Sequence, residues 1–227
     1  MADSAAPPRR RIGRRPADPE GVPTQDGILA VAAQVFAEHG YVAASLREIA
    51  ERADVTQALI IYYFGSKQAL FETLFKRRGL EVSRERQVLL DALQARPEPP
   101  TVRELVTAYL TPQFALRGGG QEGLAFVRMQ ARLHHEPDEL ALRLRREVYD
   151  HATRNYIAAL ERAVPGLEAG DAHWRMTFAI GTYLYMLSGY DRLAEMSDGR
   201  YTTEDTAEVV RRLTDFLVAG LTAPASG

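Results

Sequence analysis

Residues 45–70 read SLREIAERADVTQALIIYYFGSKQAL and contain two consecutive helix signals separated by a tight turn. Ser45 and Glu48 have the spacing of a capping box, in which each side chain accepts a hydrogen bond from the other residue's backbone N–H. The pattern predicts a short helix over 45–53, a turn, and a second helix over 56–64. Two short helices joined in this way have the proportions of a helix-turn-helix motif.

The segment 59–64, LIIYYF, is the ambiguous part of this stretch. Its β-branched and aromatic residues are typical of a buried strand. However, it follows the cap signal of Thr56, and nothing nearby has a pattern that could pair with a strand. We therefore predict a helix over this segment.

The remainder of the chain has helical periodicity from Thr24 onward. A first helix ends at Gly40, and a long amphipathic helix begins at Ser66. Further helices are predicted over 101–116, 122–135, 137–163, 171–195 and 203–221. No segment reads as a convincing strand. The sequence therefore predicts an all-α fold, with an N-terminal three-helix domain and a larger C-terminal helical domain.

Composition and charge divide the chain into an arm and two domains. The parts are a flexible, arginine-rich arm at 1–21, the helix-turn-helix domain at 22–82 with its motif at 45–64, and the larger domain at 83–222. The arm carries a basic cluster made of Arg9, Arg10, Arg11, Arg14 and Arg15. Such a cluster suits a phosphate backbone, because each neutralised phosphate releases a condensed counterion. A solvated tail is an equally good interpretation of the arm alone.

The composition excludes several classes of protein. The chain has no cysteine, so it contains neither a disulfide nor a cysteine-ligated zinc. Its longest uncharged stretch, residues 176–190, has fifteen residues, fewer than the about twenty that a membrane span needs. The N-terminus lacks the apolar segment of a signal peptide. We therefore expect a cytoplasmic protein with no membrane partner.

Catalytic and metal-binding patterns are weak. The chain has no G-x-S-x-G motif, and the glycine-rich segment 118–123 lacks the Lys-Ser/Thr pair of a phosphate-binding loop. Glu147 and His151 have the i, i+4 spacing of metal ligands, but the sequence identifies no further ligand, and surface charge is the better explanation. We expect no enzyme activity, no cofactor and no metal site.

The run YYFGSKQAL at 62–70 follows a set of apolar and small residues: Ile28, Ala32, Phe36, Gly40, Tyr41, Leu46, Ile49, Ala50, Ala53, Val55 and Ile60. Together they resemble the DNA-binding domain of the TetR family of bacterial transcriptional regulators, over residues 24–82. The chain departs from the family at Asp54, where glycine is usual, and at Ile61, where tyrosine or phenylalanine is frequent. A small residue or proline is common at the position of Ala58.

The resemblance implies a double-stranded DNA operator as partner and assigns contacts to the motif. Base-edge contacts are expected from Arg47, Gln57 and Tyr63. Ala58 and Ile61 are further expected DNA-binding positions on the recognition helix, where Ile61 removes a possible phosphate contact. Phosphate contacts are expected from Ser45, Thr56, Tyr62 and Lys67. A packed core aromatic is the alternative for Tyr62.

The family also implies a small-molecule effector and a homodimer, both served by the larger domain. Aromatic and methionine residues concentrate in its helices, and the expected cavity-lining residues are Phe126, Met129, Trp174, Phe178 and Tyr183. The last two helices carry apolar stripes that can pair with a second copy in a four-helix interface: Ile180, Leu184, Leu187, Val209, Leu213, Phe216 and Leu217.

These expectations combine into a DNA-binding transcriptional regulator, a repressor that a small, mostly apolar ligand releases from a pseudo-palindromic operator. The helix that begins at Ser66 would couple the two domains. The alternative is a helical-bundle enzyme or an interaction protein whose helix-turn-helix is purely structural. On geometry alone, an αα corner inside a helical bundle is the commoner occurrence.

Deleting residues 1–15 tests the role of the arm. If its five arginines contact DNA, the deletion weakens binding more at low salt than at high salt, because the lost contacts are electrostatic. Fluorescence anisotropy with the protein's own upstream DNA, at several salt concentrations, measures this. Replacing the same arginines by glutamine in the full-length chain is the control and must reproduce the loss. An equal loss at every salt concentration would contradict a phosphate contact.

Overall fold

The computed structural model describes residues 24–135, 139–188 and 191–224. Within these ranges the chain forms ten α-helices and no β-strand, which confirms the predicted all-α fold. The helices are α1 (Gln25–Ala43), α2 (Leu46–Ala53), α3 (Gln57–Phe64), α4 (Lys67–Gln94), α5 (Val102–Gly118), α6 (Gly120–His135), α7 (Glu139–Ala163), α8 (Ala169–Leu187), α9 (Arg192–Met196) and α10 (Thr206–Thr222). None of these described helices is long and apolar enough to span a membrane. The predicted arm at 1–21 and the predicted helix start at Pro137 lie outside the described residues.

Helices α2 and α3 form the helix-turn-helix that the sequence predicts. Asp54 turns the chain between them in a left-handed conformation, with a φ of 57° and a ψ of 46°. Aspartate adopts this conformation more readily than most residues other than glycine. The ambiguous segment 59–64 lies entirely within α3, which confirms the choice of helix over strand.

Side-chain caps start both helices of the motif, although one predicted contact differs. Ser45 Oγ accepts a hydrogen bond from the backbone N–H of Glu48 at 3.1 Å, and Thr56 caps α3 in the same way. The Glu48 carboxylate is engaged elsewhere, because its Oε1 lies 3.1 Å from His39 Nε2 and 2.6 Å from Arg52 Nη2. The predicted capping box is therefore only half formed.

We call α1, α2, α3 and the first half of α4 the N-terminal domain. A first hydrophobic core joins this domain to α6 and α7. Phe36, Phe71 and Phe75 are buried in this core. The ring of Phe75 lies 5.9 Å from the rings of Phe126 on α6 and Tyr149 on α7. Burying one such side chain contributes about 1.5–3 kcal/mol. The N-terminal domain thus shares its core with two helices of the larger domain.

A second core lies between the last turns of α4 and helices α5, α7, α8 and α10. Each helix contributes at least one buried leucine: Leu90, Leu105, Leu160, Leu184 and Leu217. Helices α4 and α7 therefore each contribute to both cores, with residues near one end of the helix in the first core and residues near its other end in the second.

Helix α4 connects the two cores with 28 residues of continuous helix. Near its middle, Gly79 lies against α7. A methyl group at Gly79 would lie 2.5 Å from Val148 Cγ1 and 2.9 Å from Tyr149 Oη. The missing side chain thus allows α4 and α7 to approach closely where the two cores meet.

Two predicted helix boundaries are wrong, because polar caps interrupt or delay the helices. The helix predicted over 171–195 is two helices, α8 and α9, and Asp191 caps the second. The helix predicted over 203–221 begins at Thr206, because the Asp205 carboxylate accepts hydrogen bonds from two backbone N–H groups of the first turn. The spacing of apolar residues alone does not reveal such caps.

Gly79→Ala tests the close packing of α4 on α7. Alanine gains about 1 kcal/mol of helix propensity over glycine, but overpacking costs about 1–3 kcal/mol, and the stiff Val148 side chain has little freedom to yield. We expect a lower midpoint of urea unfolding. Gly170→Ala on α8 is the control, since no atom lies within 4 Å of the new methyl group. A midpoint equal to that of the wild type would contradict the close packing.

Candidate nucleic-acid interface

Helix α3 presents a row of side chains to the outside. Gln57, Ala58, Ile61 and Tyr62 are exposed, at the spacing of one helix face. Ile60 is fully buried on the opposite face. Tyr62 is 81% exposed, so the alternative of a packed core aromatic is excluded. A helix that is held by its inner face in this way has an outer face free to enter a major groove.

Tyr63, which the resemblance assigns to base reading, is half-buried. Its ring centroid lies 5.5 Å from that of Tyr62 and 6.2 Å from that of Phe64, with the rings edge to face. These contacts restrict Tyr63 more than Tyr62. Of these two tyrosines, Tyr62 is therefore the more accessible to DNA.

Arg47 stands on α2 with 80% of its side chain exposed. Its Nε donates a hydrogen bond to Glu51 Oε1 at 2.8 Å, one helical turn further along. This hydrogen bond raises the pKa of Arg47, so the guanidinium is always charged. Exposed pairs of this kind are weak, because water and salt compete with them. Arg47 can therefore exchange Glu51 for a guanine edge or a phosphate.

Ser45 and Thr56 stand exposed at the N-termini of α2 and α3. Each hydroxyl oxygen accepts a backbone N–H within the chain, at 3.1 Å for Ser45 and 3.2 Å for Thr56. Each O–H hydrogen is left to donate to another acceptor. The backbone N–H groups of a first helical turn also favour an anion. Both positions are thus chemically suited to a DNA phosphate.

Lys67 does not belong to this exposed surface, which corrects the phosphate contact that the resemblance assigns to it. Its Nζ donates to the backbone carbonyl oxygens of Tyr41 at 2.9 Å, Val42 at 3.2 Å and Ala44 at 3.0 Å. It also lies 4.7 Å from the centroid of the Tyr41 ring. Since an ammonium group has three N–H donors, no hydrogen is left for a phosphate. Lys67 instead fastens the end of α1 to the start of α4.

The larger domain contains a cavity between α5, α7, α8 and α10. Among its lining residues are Tyr109, Tyr156, Met176 and Tyr183, of which Tyr183 is a predicted one. The open space is only about 20 Å³, roughly the room that one water molecule needs. The chain's own side chains thus fill most of this volume.

The other four residues predicted to line the cavity lie elsewhere. Phe126 and Met129 are buried in the first core, beside the N-terminal domain. Trp174 and Phe178 are 65% and 61% exposed on α8. The prediction was wrong for these residues because it followed residue type. Their position around the helix decides which side chains face inward.

Sequence reasoning also missed Arg86, a buried arginine in the larger domain. It lies on the α4 face that Val82 and Leu90 define at i−4 and i+4, and its guanidinium carbon lies 3.8 Å from the centroid of the Tyr109 ring. The signal is visible in the sequence, since an arginine occupies an apolar position of an amphipathic helix.

One cluster outside the motif has the donor set of a metal site. Glu38, His39 and Glu48 bring three ligand atoms within 4.8 Å of one another. Arg52, however, lies 2.7 Å from Glu38 and 2.6 Å from Glu48 through separate nitrogens. The cluster is therefore an ion-pair network in which an arginine already compensates the carboxylates.

An exposed recognition helix, packed on a short helix across a left-handed turn, defines the class of helix-turn-helix DNA-binding proteins. Family models match the chain in two places, as bacterial regulatory proteins of the tetR family over 28–81 and as a tetracyclin repressor-like C-terminal domain over 107–220. The chain belongs to the TetR family of transcriptional regulators. It is a DNA-binding regulator and not an enzyme, so the alternative of a helical-bundle enzyme is set aside.

Solved structures of other regulators share the fold. The ketosteroid regulator KstR2 of Mycobacterium tuberculosis has a TM-score of 0.63 and 16% identity, covering 88% of this chain and 95% of that chain. FadR from Bacillus subtilis, solved in complex with stearoyl-CoA, has a TM-score of 0.56 and 20% identity, covering 87% of this chain and 99% of that chain. At these identities the likeness concerns the fold. No curated protein sequence matches the chain.

Lys67→Met separates a structural role from a phosphate contact. Methionine keeps the aliphatic stem but leaves three carbonyl oxygens without their donor, so we expect the free energy of unfolding to fall by about 1.5–3 kcal/mol. The salt dependence of DNA affinity should not change.

Lys76→Met, at the chain's second lysine, is the matched control for this variant. Lys76 forms a half-exposed ion pair with Glu147 at 2.6 Å, so its loss should destabilise the protein less. A salt slope lowered by about one unit in Lys67→Met, at unchanged stability, would restore the phosphate contact.

Proposed function

We propose that the protein is a homodimeric repressor that leaves a pseudo-palindromic operator when a small, mostly apolar ligand binds the larger domain. The observation that carries the proposal is an exposed aromatic surface on two neighbouring C-terminal helices, with Trp174, Phe178 and Tyr185 on α8 and Phe216 on α10. A monomer that leaves large aromatic residues exposed in this way is expected to have a partner.

The geometry of α8 supports self-association through this aromatic surface. Trp174, Phe178 and Tyr185 recur at spacings of four and seven residues and so share one side of the helix. The exposed Gly181 lies between them on that side and adds no bulk. The ring centroids of Trp174 and Phe178 are 5.7 Å apart. Two such surfaces can pair about a two-fold axis, in a four-helix interface.

This surface differs from the apolar stripes that the sequence predicts for the interface. Most residues of the stripes are buried in the chain's own second core: Leu184, Leu187, Val209, Leu213 and Leu217. Phe216 belongs to both sets, since it was predicted and is exposed. Apolar periodicity identifies a face that must be covered, but it does not tell whether the same chain or a second copy covers it.

On DNA, the proposed roles follow the exposure of the motif. Base edges would be read by Arg47 and Gln57, with Ala58, Ile61 and Tyr63 beside them. Phosphates would be held by Ser45, Thr56 and Tyr62. Two copies related by a two-fold axis require two half-sites whose centres lie about 34–36 Å apart, one turn of the DNA helix.

The cavity supports an apolar effector. Its walls are mainly leucine and tyrosine side chains, with Met176 as a flexible member that can repack around different shapes. Because the space is small, a ligand must displace some of these side chains and therefore favours a more open conformation. That preference is the differential interaction that a switch requires. The FadR structure with stearoyl-CoA supports an apolar ligand for this fold.

Arg47→Ala tests base reading. We expect affinity for the operator to fall roughly 5- to 150-fold, the range for one bidentate contact to a base, and preference at one base position to relax. Anisotropy titrations with the operator, and with duplexes that carry single base changes, measure both effects. Arg84→Ala, an exposed arginine on α4 outside the motif, is the control. Equal losses on operator and random DNA would contradict base reading.

Phe178→Glu tests the dimer. A charge in the centre of the aromatic surface should turn the dimer into a monomer in sedimentation equilibrium and weaken operator binding, because a single copy engages one half-site. Val88→Glu places the same charge at an exposed apolar position of α4 and should change neither property. A dimer that persists in Phe178→Glu, or equal effects in both variants, would contradict the proposed interface.

A further inference from the structure

We infer that the effector of the proposed switch carries a single carboxylate, and that the buried guanidinium of Arg86 binds it. The inference rests on the proposed ligand response and specifies the chemistry of the ligand's head group. The remainder of the ligand is an apolar body that takes the place of displaced side chains in the cavity.

Arg86 is a buried cation that has no anionic partner among the described residues. Its side chain is 1% exposed, in the second core. Within the described ranges no carboxylate forms an ion pair with it, and its Nη2 has no hydrogen-bond partner. An isolated charge inside a protein is costly, and a buried arginine normally has a carboxylate or a full set of acceptors.

The groups around Arg86 satisfy it only in part. Its Nε donates to the backbone carbonyl oxygen of Tyr109 at 2.8 Å. The guanidinium carbon lies 3.8 Å from the centroid of the Tyr109 ring and 5.6 Å from that of Tyr183. The Tyr183 side chain also hydrogen-bonds the guanidinium, but Nη2 keeps no partner. A neutral phenol and aromatic faces attract a cation less strongly than a carboxylate does. The arrangement thus retains the charge while leaving a donor for another molecule.

Three tyrosines connect Arg86 to the cavity. Tyr109 and Tyr183 present their rings to the guanidinium, Tyr156 Oη donates to the backbone carbonyl oxygen of Arg86 at 2.9 Å, and all three line the cavity. Burial raises the pKa of Tyr156 and that of Tyr183, so both phenols stay neutral. Arg86 itself does not line the cavity: these tyrosines stand between its guanidinium and the open space, and their phenols bring no competing negative charge.

The other walls are apolar and suit the body of the ligand. They include Leu105, Leu110, Leu160 and Leu217. A carboxylate at one end of such a body can accept two parallel hydrogen bonds from a guanidinium, the strongest pairing available to an arginine. A neutral ligand would displace side chains from the cavity and still leave Arg86 without a counter-charge.

Arg86 also lies on the helix that reaches the DNA-binding domain. It lies nineteen positions after Lys67 along α4, a distance of about 28 Å at 1.5 Å per residue. A ligand bound to Arg86 therefore acts directly on the helix whose first residue holds the end of α1.

The test uses the full-length protein and matched probes, straight-chain carboxylates and alcohols of equal length from six to about sixteen carbons. We expect at least one carboxylate to raise the unfolding temperature of the wild type by several degrees, and its alcohol to raise it less. In Arg86→Met, calorimetric titration should show the carboxylate binding at least tenfold more weakly and the alcohol binding as before. Arg84→Met, the same change on the exposed side of α4, is the control and should bind both as the wild type does.

A ligand-free measurement tests the same assignment. Replacing an uncompensated buried charge by methionine should leave the unfolding temperature of free Arg86→Met equal or higher. A marked decrease would assign Arg86 to the core and overturn the inference. Arg86→Lys, which keeps the charge without the planar fork, is a second variant, and its preference for carboxylate over alcohol should be reduced but present.

The remaining outcomes distinguish this inference from the proposed function. Equal binding of carboxylates and alcohols, or no binding of any carboxylate, overturns the inference. A carboxylate that binds through Arg86 but leaves operator affinity unchanged supports the site and contradicts ligand-released repression. An alcohol that releases the operator equally from wild type and Arg86→Met supports the release and contradicts the role of Arg86.

Discussion

The packing of α4 against α7 places one continuous helix in two hydrophobic cores. The positions of the helix-turn-helix and of the buried Arg86 relative to each other depend on that arrangement. At the start of α4, Lys67 holds the last carbonyls of α1. In its middle, Gly79 allows α7 to approach, and beyond it Arg86 enters the second core. Close-packed interiors transmit displacements instead of absorbing them. A displacement beside Arg86 can therefore pass along α4 to Lys67, next to the helix-turn-helix.

The two inward-facing cations of α4 differ in how well they are satisfied. Lys67 donates each of its three hydrogens to a backbone carbonyl, a complete set that serves stability. Arg86 is more deeply buried, yet in the part of the chain that the structure describes it has no carboxylate partner and its Nη2 has no acceptor. Incomplete satisfaction of a buried charge costs stability, and departures of this kind concentrate at functional sites. The same helix thus has a structural end and an end suited to a ligand.

The sequence predicts most of the fold, because caps and periodicity are local signals. Asp54 in its turn and the helical state of 59–64 are both confirmed. The site is less predictable, because partners come from distant parts of the chain. Lys67 meets carbonyls more than twenty residues away, and nothing in its own neighbourhood indicates this. Residue type did not separate the inward Tyr183 from the outward Trp174, whereas the spacing of Arg86 was a usable signal.

The claim that α4 makes the two cores one cooperative unit can be tested by urea unfolding with a separate signal from each. Trp174, the chain's only tryptophan, reports on the larger domain, and a single fluorophore on exposed Val42→Cys reports on the N-terminal domain in a chain that has no other cysteine. We expect one common midpoint for the two signals, and an operator fragment bound by the N-terminal domain should raise both midpoints equally. Separate midpoints, or a DNA-induced rise of the midpoint that only the label at position 42 reports, would contradict a single cooperative unit.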